Sequence, residues 1–127
     1  MAHRLHPAER LKSRKEIGRL FSAGTETLSS YPVRLLFRQV ETVRGPHPVQ
    51  VTFVVPKKRF RRAVDRNLLK RRMREAYRLR KDVLVQAATG QERQIALLVM
   101  YTGKEALPYS LIERKMVKLL GQVVKRL

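Results

Sequence analysis

The chain has no cysteine and no tryptophan. Without cysteine there are no disulfides and no thiolate zinc sites, so sulfur staples nothing. That absence also fits a reducing compartment. Aromatics are few, four Phe and four Tyr, so the core must be mostly aliphatic. Acid is scarce: 10 Asp and Glu stand against 29 Lys and Arg, a formal net charge of +19. No apolar run approaches the ~20 residues of a membrane-spanning helix, which argues against insertion in a bilayer. The N-terminal stretch has no apolar core for a secretory signal, and it lacks the serine-rich composition of a transit peptide. A cytoplasmic protein is therefore expected.

What is present suits one domain. The 127 residues are 43% hydrophobic, enough for a modest core that folds without staples. Residues 1–12 read as a flexible basic arm, leaving 13–127 as the single domain. Ser13 and Glu16 form a capping box, followed by Ile17, Leu20 and Phe21 at helical spacing. Gly24 is placed to end that helix, of roughly ten residues, in a left-handed conformation. Val33 to Val40 alternates as a strand, with Val33, Leu35 and Phe37 on one face and Arg34 and Arg38 on the other. A loop from Thr42 to Pro48 leads to a second strand, Val49 to Val55, and the two suit an antiparallel pair. Ile95 to Tyr101 is almost wholly apolar, the pattern of a central strand. Ser110 and Glu113 make another capping box before a stripe of Ile112, Met116, Leu119, Val123 and Leu127. The order is helix, two strands, basic helix, strand, helix: an α+β two-layer sandwich with helices on a small sheet.

The segment 57–81 sets the function. It holds thirteen Lys or Arg and two acids, Asp65 and Glu75. A helix is expected from near Asp65 to about Gln86. On a wheel of ~3.6 residues per turn, Arg66, Asn67, Lys70, Arg71, Arg74, Arg78 and Lys81 share a sector of about 140°. Leu69, Met73, Ala76 and Val83, with Tyr77 and Leu84, form the core side. Solvated helices usually mix charge signs; here Arg66, Lys70, Arg74 and Arg78 repeat one sign at i,i+4. Each such pair costs an isolated helix a few tenths of a kcal/mol. A polyanion would relieve that cost. Charge alone points to nucleic acid and does not choose between RNA, DNA and an anionic membrane surface.

The run Lys57-Lys58-Arg59-Phe60-Arg61-Arg62-Ala63-Val64-Asp65-Arg66-Asn67-Leu68-Leu69-Lys70-Arg71-Arg72-Met73-Arg74-Glu75 resembles the signature of the bacterial ribonuclease P protein family. That pattern has two lysines, a short link, Ala-Val, then Arg-Asn-Arg-x-Lys-Arg-x-x-Arg-Glu. Leu68 departs from it at the middle arginine, which lies off the cation stripe and should cost only a flanking contact. Met100-Tyr101 departs where relatives tend to carry a cation. The resemblance implies a mostly antiparallel sheet with three helices and a left-handed βαβ crossover, as in a ribosomal-protein domain.

The same resemblance implies a function. The chain would be an endoribonuclease subunit that helps a catalytic RNA remove the 5′ leader of precursor tRNA. The RNA performs the chemistry and chiefly holds the Mg²⁺. The implied partners are that RNA and the leader, with no protein partner and no membrane. Lys57, Lys58, Arg62, Arg66, Asn67, Lys70, Arg71, Arg74 and Arg78 would face RNA. Ile17 and Phe21 would line a leader cleft between the first helix and the sheet, with Phe37 or Tyr31 as the first-strand aromatic. No side chain stands out as a catalyst. His3 and His6 lie in the arm and His47 between prolines, and Glu75 reads as a salt-bridge partner. Another ribonucleoprotein's structural protein would share the charge, without this motif order.

Overall fold

A strand that is apolar on both faces needs a strand on each edge and a layer over each face. In the computed structural model, which describes residues 5–40 and 46–127, the strand Gln94–Tyr101 has both. It is β4 of a sheet that also contains β1 (Glu26–Ser30), β2 (Val33–Val40) and β3 (Val49–Val54), in the order β1-β2-β4-β3. β2 runs antiparallel to β1 and β4, and β3 runs parallel to β4. The antiparallel pairing expected between the second and third strands is thus overturned: β4 lies between them. β4 presents apolar side chains to both faces, while β3 carries Gln50 and Thr52 on one. The wetter strand takes the edge.

The helices are α1 (Arg14–Arg19), α2 (Ala63–Arg80), α3 (Asp82–Gly90) and α4 (Tyr109–Lys125). α2 and α3 make the crossover from β3 to β4. With α4 they cover one sheet face, where Leu35, Phe37, Leu97 and Val99 meet Leu69, Met73, Tyr77, Ile112 and Met116 in the larger core. On the opposite face Leu36, Ala96 and Leu98 pack with Leu20 and Leu11 in a smaller core. Burying a side chain of this size stabilises the fold by ~1.5–3 kcal/mol.

Several local expectations need correction. The long basic helix is two helices, broken at Lys81. Past the break Leu84 and Ala88 stay inside, while Val83 turns out to solvent. β1 carries one strong apolar residue, Leu28, and gave no alternation to read. Gly24 is left-handed at φ 91°, yet it lies beyond the end of α1, whose own cap is Leu20. Ser13 accepts the Glu16 amide as expected (3.3 Å). α4 starts at Tyr109 behind Pro108, with no side-chain cap, so Ser110 caps nothing.

Residues 5–12 are not a loose arm. Pro7–Glu9 forms a 3₁₀ turn, Arg10 bridges to Val51, and the Leu11 amide donates to the Val51 carbonyl (2.8 Å). Residues 1–4, with His3, and the 41–45 part of the expected loop lie outside the described residues.

Candidate nucleic-acid interface

Pro56 lies just past the end of β3 and starts a loop that returns to α2. Phe60 anchors it, buried and set edge-on against the Tyr101 ring at 5.7 Å between centroids. Around that anchor Lys57, Lys58, Arg59, Arg61 and Arg62 are exposed. The Arg66 guanidinium fastens the loop, donating to the carbonyls of Phe60 (2.7 Å) and Arg61 (2.8 Å). Those two carbonyls belong to the loop before the helix, so the bonds fold the loop back onto α2. Arg62 stands near Asp65, Nε to Oδ2 3.5 Å.

One turn on, Lys70, Arg71 and Arg74 follow, with Asn67 exposed before them. Among the described residues no carboxylate pairs with these three cations. Lys70 and Arg74 line a recess with Val51, Thr52 and Phe53 of the β3 edge, and Arg10 closes it. The Arg74 guanidinium lies 5.9 Å from the centre of the Phe53 ring, and its Nε is buried with no hydrogen-bond partner. Burial, then the charges of Arg10 and Arg71, pull the Arg74 pKa below its ordinary value. An arginine stays protonated regardless, so the recess keeps concentrated positive charge.

The other cations of α2 are occupied internally. Arg72 donates to the Leu107 carbonyl (2.7 Å), and Arg80 pairs with Glu113 (3.5 Å). Arg78 binds Glu75, Nε to Oε2 3.1 Å, which holds the Glu75 carboxyl below its usual pKa and raises that of Arg78. Glu75 is thus the salt-bridge partner expected. Lys81, assigned to the cation sector by the wheel, is buried against Glu9. The expected row of seven therefore divides: Asn67, Lys70, Arg71 and Arg74 remain available, Arg66 holds a loop, and Arg78 and Lys81 hold acids.

A second surface lies on the sheet face beside α1. Phe21 projects from the end of α1, 60% exposed. Ile17, Val40, Val54 and Met100 are half-buried around the smaller core. Arg38 reaches across to donate to the Arg19 and Ala23 carbonyls and the Ser22 hydroxyl, fixing the end of α1 to β2. His6 and His47 stack at 5.0 Å, and the Nδ1 of His6 accepts the Ala8 amide. Among the described residues no three His, Asp or Glu come together to hold a metal ion, and no helix is long and apolar enough to cross a membrane.

Comparison with known proteins decides the family. The Ribonuclease P family model matches residues 5–124. The chain belongs to the ribonuclease P protein family. It is 40% identical over 121 residues to the ribonuclease P protein component of Porphyromonas gingivalis, covering 94% of this chain and 85% of that one. It is 36% identical over 103 residues to the component of Chlorobaculum tepidum, covering 76% and 67% respectively. Among solved structures, the RNase P protein of Thermotoga maritima aligns at a TM-score of 0.69 and 25% identity, over 90% of this chain and 96% of that one. The RNase P protein of Staphylococcus aureus shares the fold at the same TM-score of 0.69 and 15% identity, over 92% and 95%.

Against the ribonuclease P protein signature, three placements stand out. Leu68, at the middle arginine position, is half-exposed beside the row rather than in it. Phe37 is 2% exposed in the larger core, so it lines no open surface. Period-two alternation groups residues by face but does not tell which face the helices cover. Tyr31, the alternative, is exposed in the turn between β1 and β2. Arg10 was missed, because nothing in the spacing of a basic N-terminal stretch ties it to a helix 60 residues on. The one available signal was Leu11, a lone apolar residue between cations.

Proposed function

We propose that this chain is the protein subunit of a ribonuclease P, acting with a catalytic RNA in 5′ maturation of precursor tRNA. The observation that carries the reading is the row Lys70, Arg71, Arg74, unpaired with acid among the described residues, in a chain of this family. Phosphates of folded RNA neutralise the row, and each neutralised phosphate releases counterions, so binding is steeply salt-dependent. Arg71 and Arg74 suit phosphate geometry with forked donors. Asn67 adds a hydrogen bond to a base edge or a ribose 2′-OH. Lys57, Lys58 and Arg62 extend the surface along the loop.

The leader strand lies on the sheet face beside α1. Phe21 offers a ring for base stacking, worth ~1–3 kcal/mol where it occurs, and Ile17, Val54 and Met100 give apolar flanks. Mg²⁺ takes oxygen ligands and keeps several waters. In this reading RNA phosphates hold it, and the chain's cations lower the charge density around them. The RNA subunit carries out the hydrolysis.

Reconstitution tests this. Added to the cognate catalytic RNA transcript, the protein should speed precursor-tRNA cleavage at low Mg²⁺ and lower the Mg²⁺ requirement. No change in either would refute the proposal. Duplex DNA bound as tightly as the RNA at equal salt would favour a general polyanion binder instead.

A further inference from the structure

A segment rich in cations does not settle beside a cationic helix unaided. Arg10 lies next to Arg74, and their charges repel. What offsets this is one residue away. Glu9 takes both carboxylate oxygens to the Lys81 ammonium, at 2.7 and 2.9 Å, with the two side chains only 7% and 5% exposed. The same carboxylate accepts the His6 amide (2.6 Å). Lys81 sits at the break between α2 and α3, so the pair ties the N-terminal segment to the helix layer. Downstream the segment meets β3 through a single bridge from Arg10 to Val51, where the Leu11 amide donates to the Val51 carbonyl.

We infer that Glu9 and Lys81 are positioning residues: their buried ion pair holds Arg10 at the β3 edge, where it joins Lys70 and Arg74 as one RNA-facing cluster. This rests on the RNA-binding role proposed above. Neither Glu9 nor Lys81 reaches RNA itself. The pair acts through Arg10, by fixing the backbone of its neighbour. Breaking a buried pair from one side takes the carboxylate away from a buried ammonium, so the segment should release.

Two measurements test it. Amide hydrogen exchange on the free protein reads the clamp. In Glu9→Gln the Leu11 amide should exchange at least about tenfold faster, as local opening allows, while the Leu35 amide of β2 stays protected. RNA titration reads the consequence. Arg10→Ala should flatten the slope of log affinity against log salt by about 0.9, one phosphate contact. Glu9→Gln should flatten it equally, and the double variant no further, the non-additivity of residues acting as one unit.

An unchanged Leu11 amide in Glu9→Gln would overturn the clamp. So would additive losses in the double variant. If Glu9→Gln fails to fold, Arg10→Ala alone decides: an unaltered slope refutes the placement of Arg10 among the RNA contacts. Lys70→Ala separates the two levels. If Lys70→Ala and Arg10→Ala are both without effect, the interface reading has failed, while the exchange result still judges the clamp.

Discussion

Phe21 and Phe37 carry the same ring into opposite surroundings, 60% and 2% exposed. Phe37→Ala should destabilise the fold by ~3–5 kcal/mol, the usual cost of emptying a core aromatic site, and urea melts would show it. Phe21→Ala should change stability by less than ~0.5 kcal/mol. Its effect belongs in the affinity for precursor tRNA with a leader, relative to leaderless tRNA. Gly103 is a different kind of constraint. A Cβ there would stand 2.7 Å from the Tyr101 ring, which is held by bonds from its hydroxyl to the Glu105 carbonyl and from the Leu107 amide. Gly103→Ala should therefore cost ~1–3 kcal/mol in the same melts, as overpacking does. Glu75 titrates with a defined sign. Its carboxyl pKa is lowered in the fold by Arg78. The stabilisation is thus present above its unfolded value, about 4.3, and is lost as pH falls through the folded one. The side chain is nearly half exposed, so solvent keeps the contribution small. Glu75→Gln should remove that part of the acid dependence of Tm.

At the level of elements, α2 and the loop before it act together. Arg66 donates inward to the loop carbonyls, so Arg66→Ala should free the loop that carries Lys57, Lys58 and Arg62. Its expected signature is weaker RNA affinity together with faster exchange in the loop. Arg114→Ala, exposed on α4, should show neither. The elements with strong periodicity were legible in the sequence: the apolar stripe of α4, the alternation of β2, the double-sided β4. Those governed by contacts distant in sequence were not. Lys81, at the helix break, is buried against Glu9, 72 residues away. The hairpin of β1 follows from pairing with β2, since its own residues are mostly polar. The cation row was legible as a stripe, but its division into available and internally bonded members needed the position of Glu9 against Lys81 and of the loop carbonyls that Arg66 meets.

For the whole molecule, charge and topology meet at β3. The sheet ends there, and among the described residues Arg10 is its outer neighbour, bridged at Val51. Beyond that point the rim of the strand has hydrogen-bonding groups to offer, and such rims invite strands from other chains. Lys70 and Arg74 flank the opening. A second copy approaching edge to edge would bring its own positive charges against them, so the groups that attract a polyanion also keep free copies apart. Concentrated salt without RNA removes this protection, because the screening length shrinks to ~3 Å at 1 M. Light scattering from the free protein should then grow with ionic strength, and adding the RNA at moderate salt should suppress it.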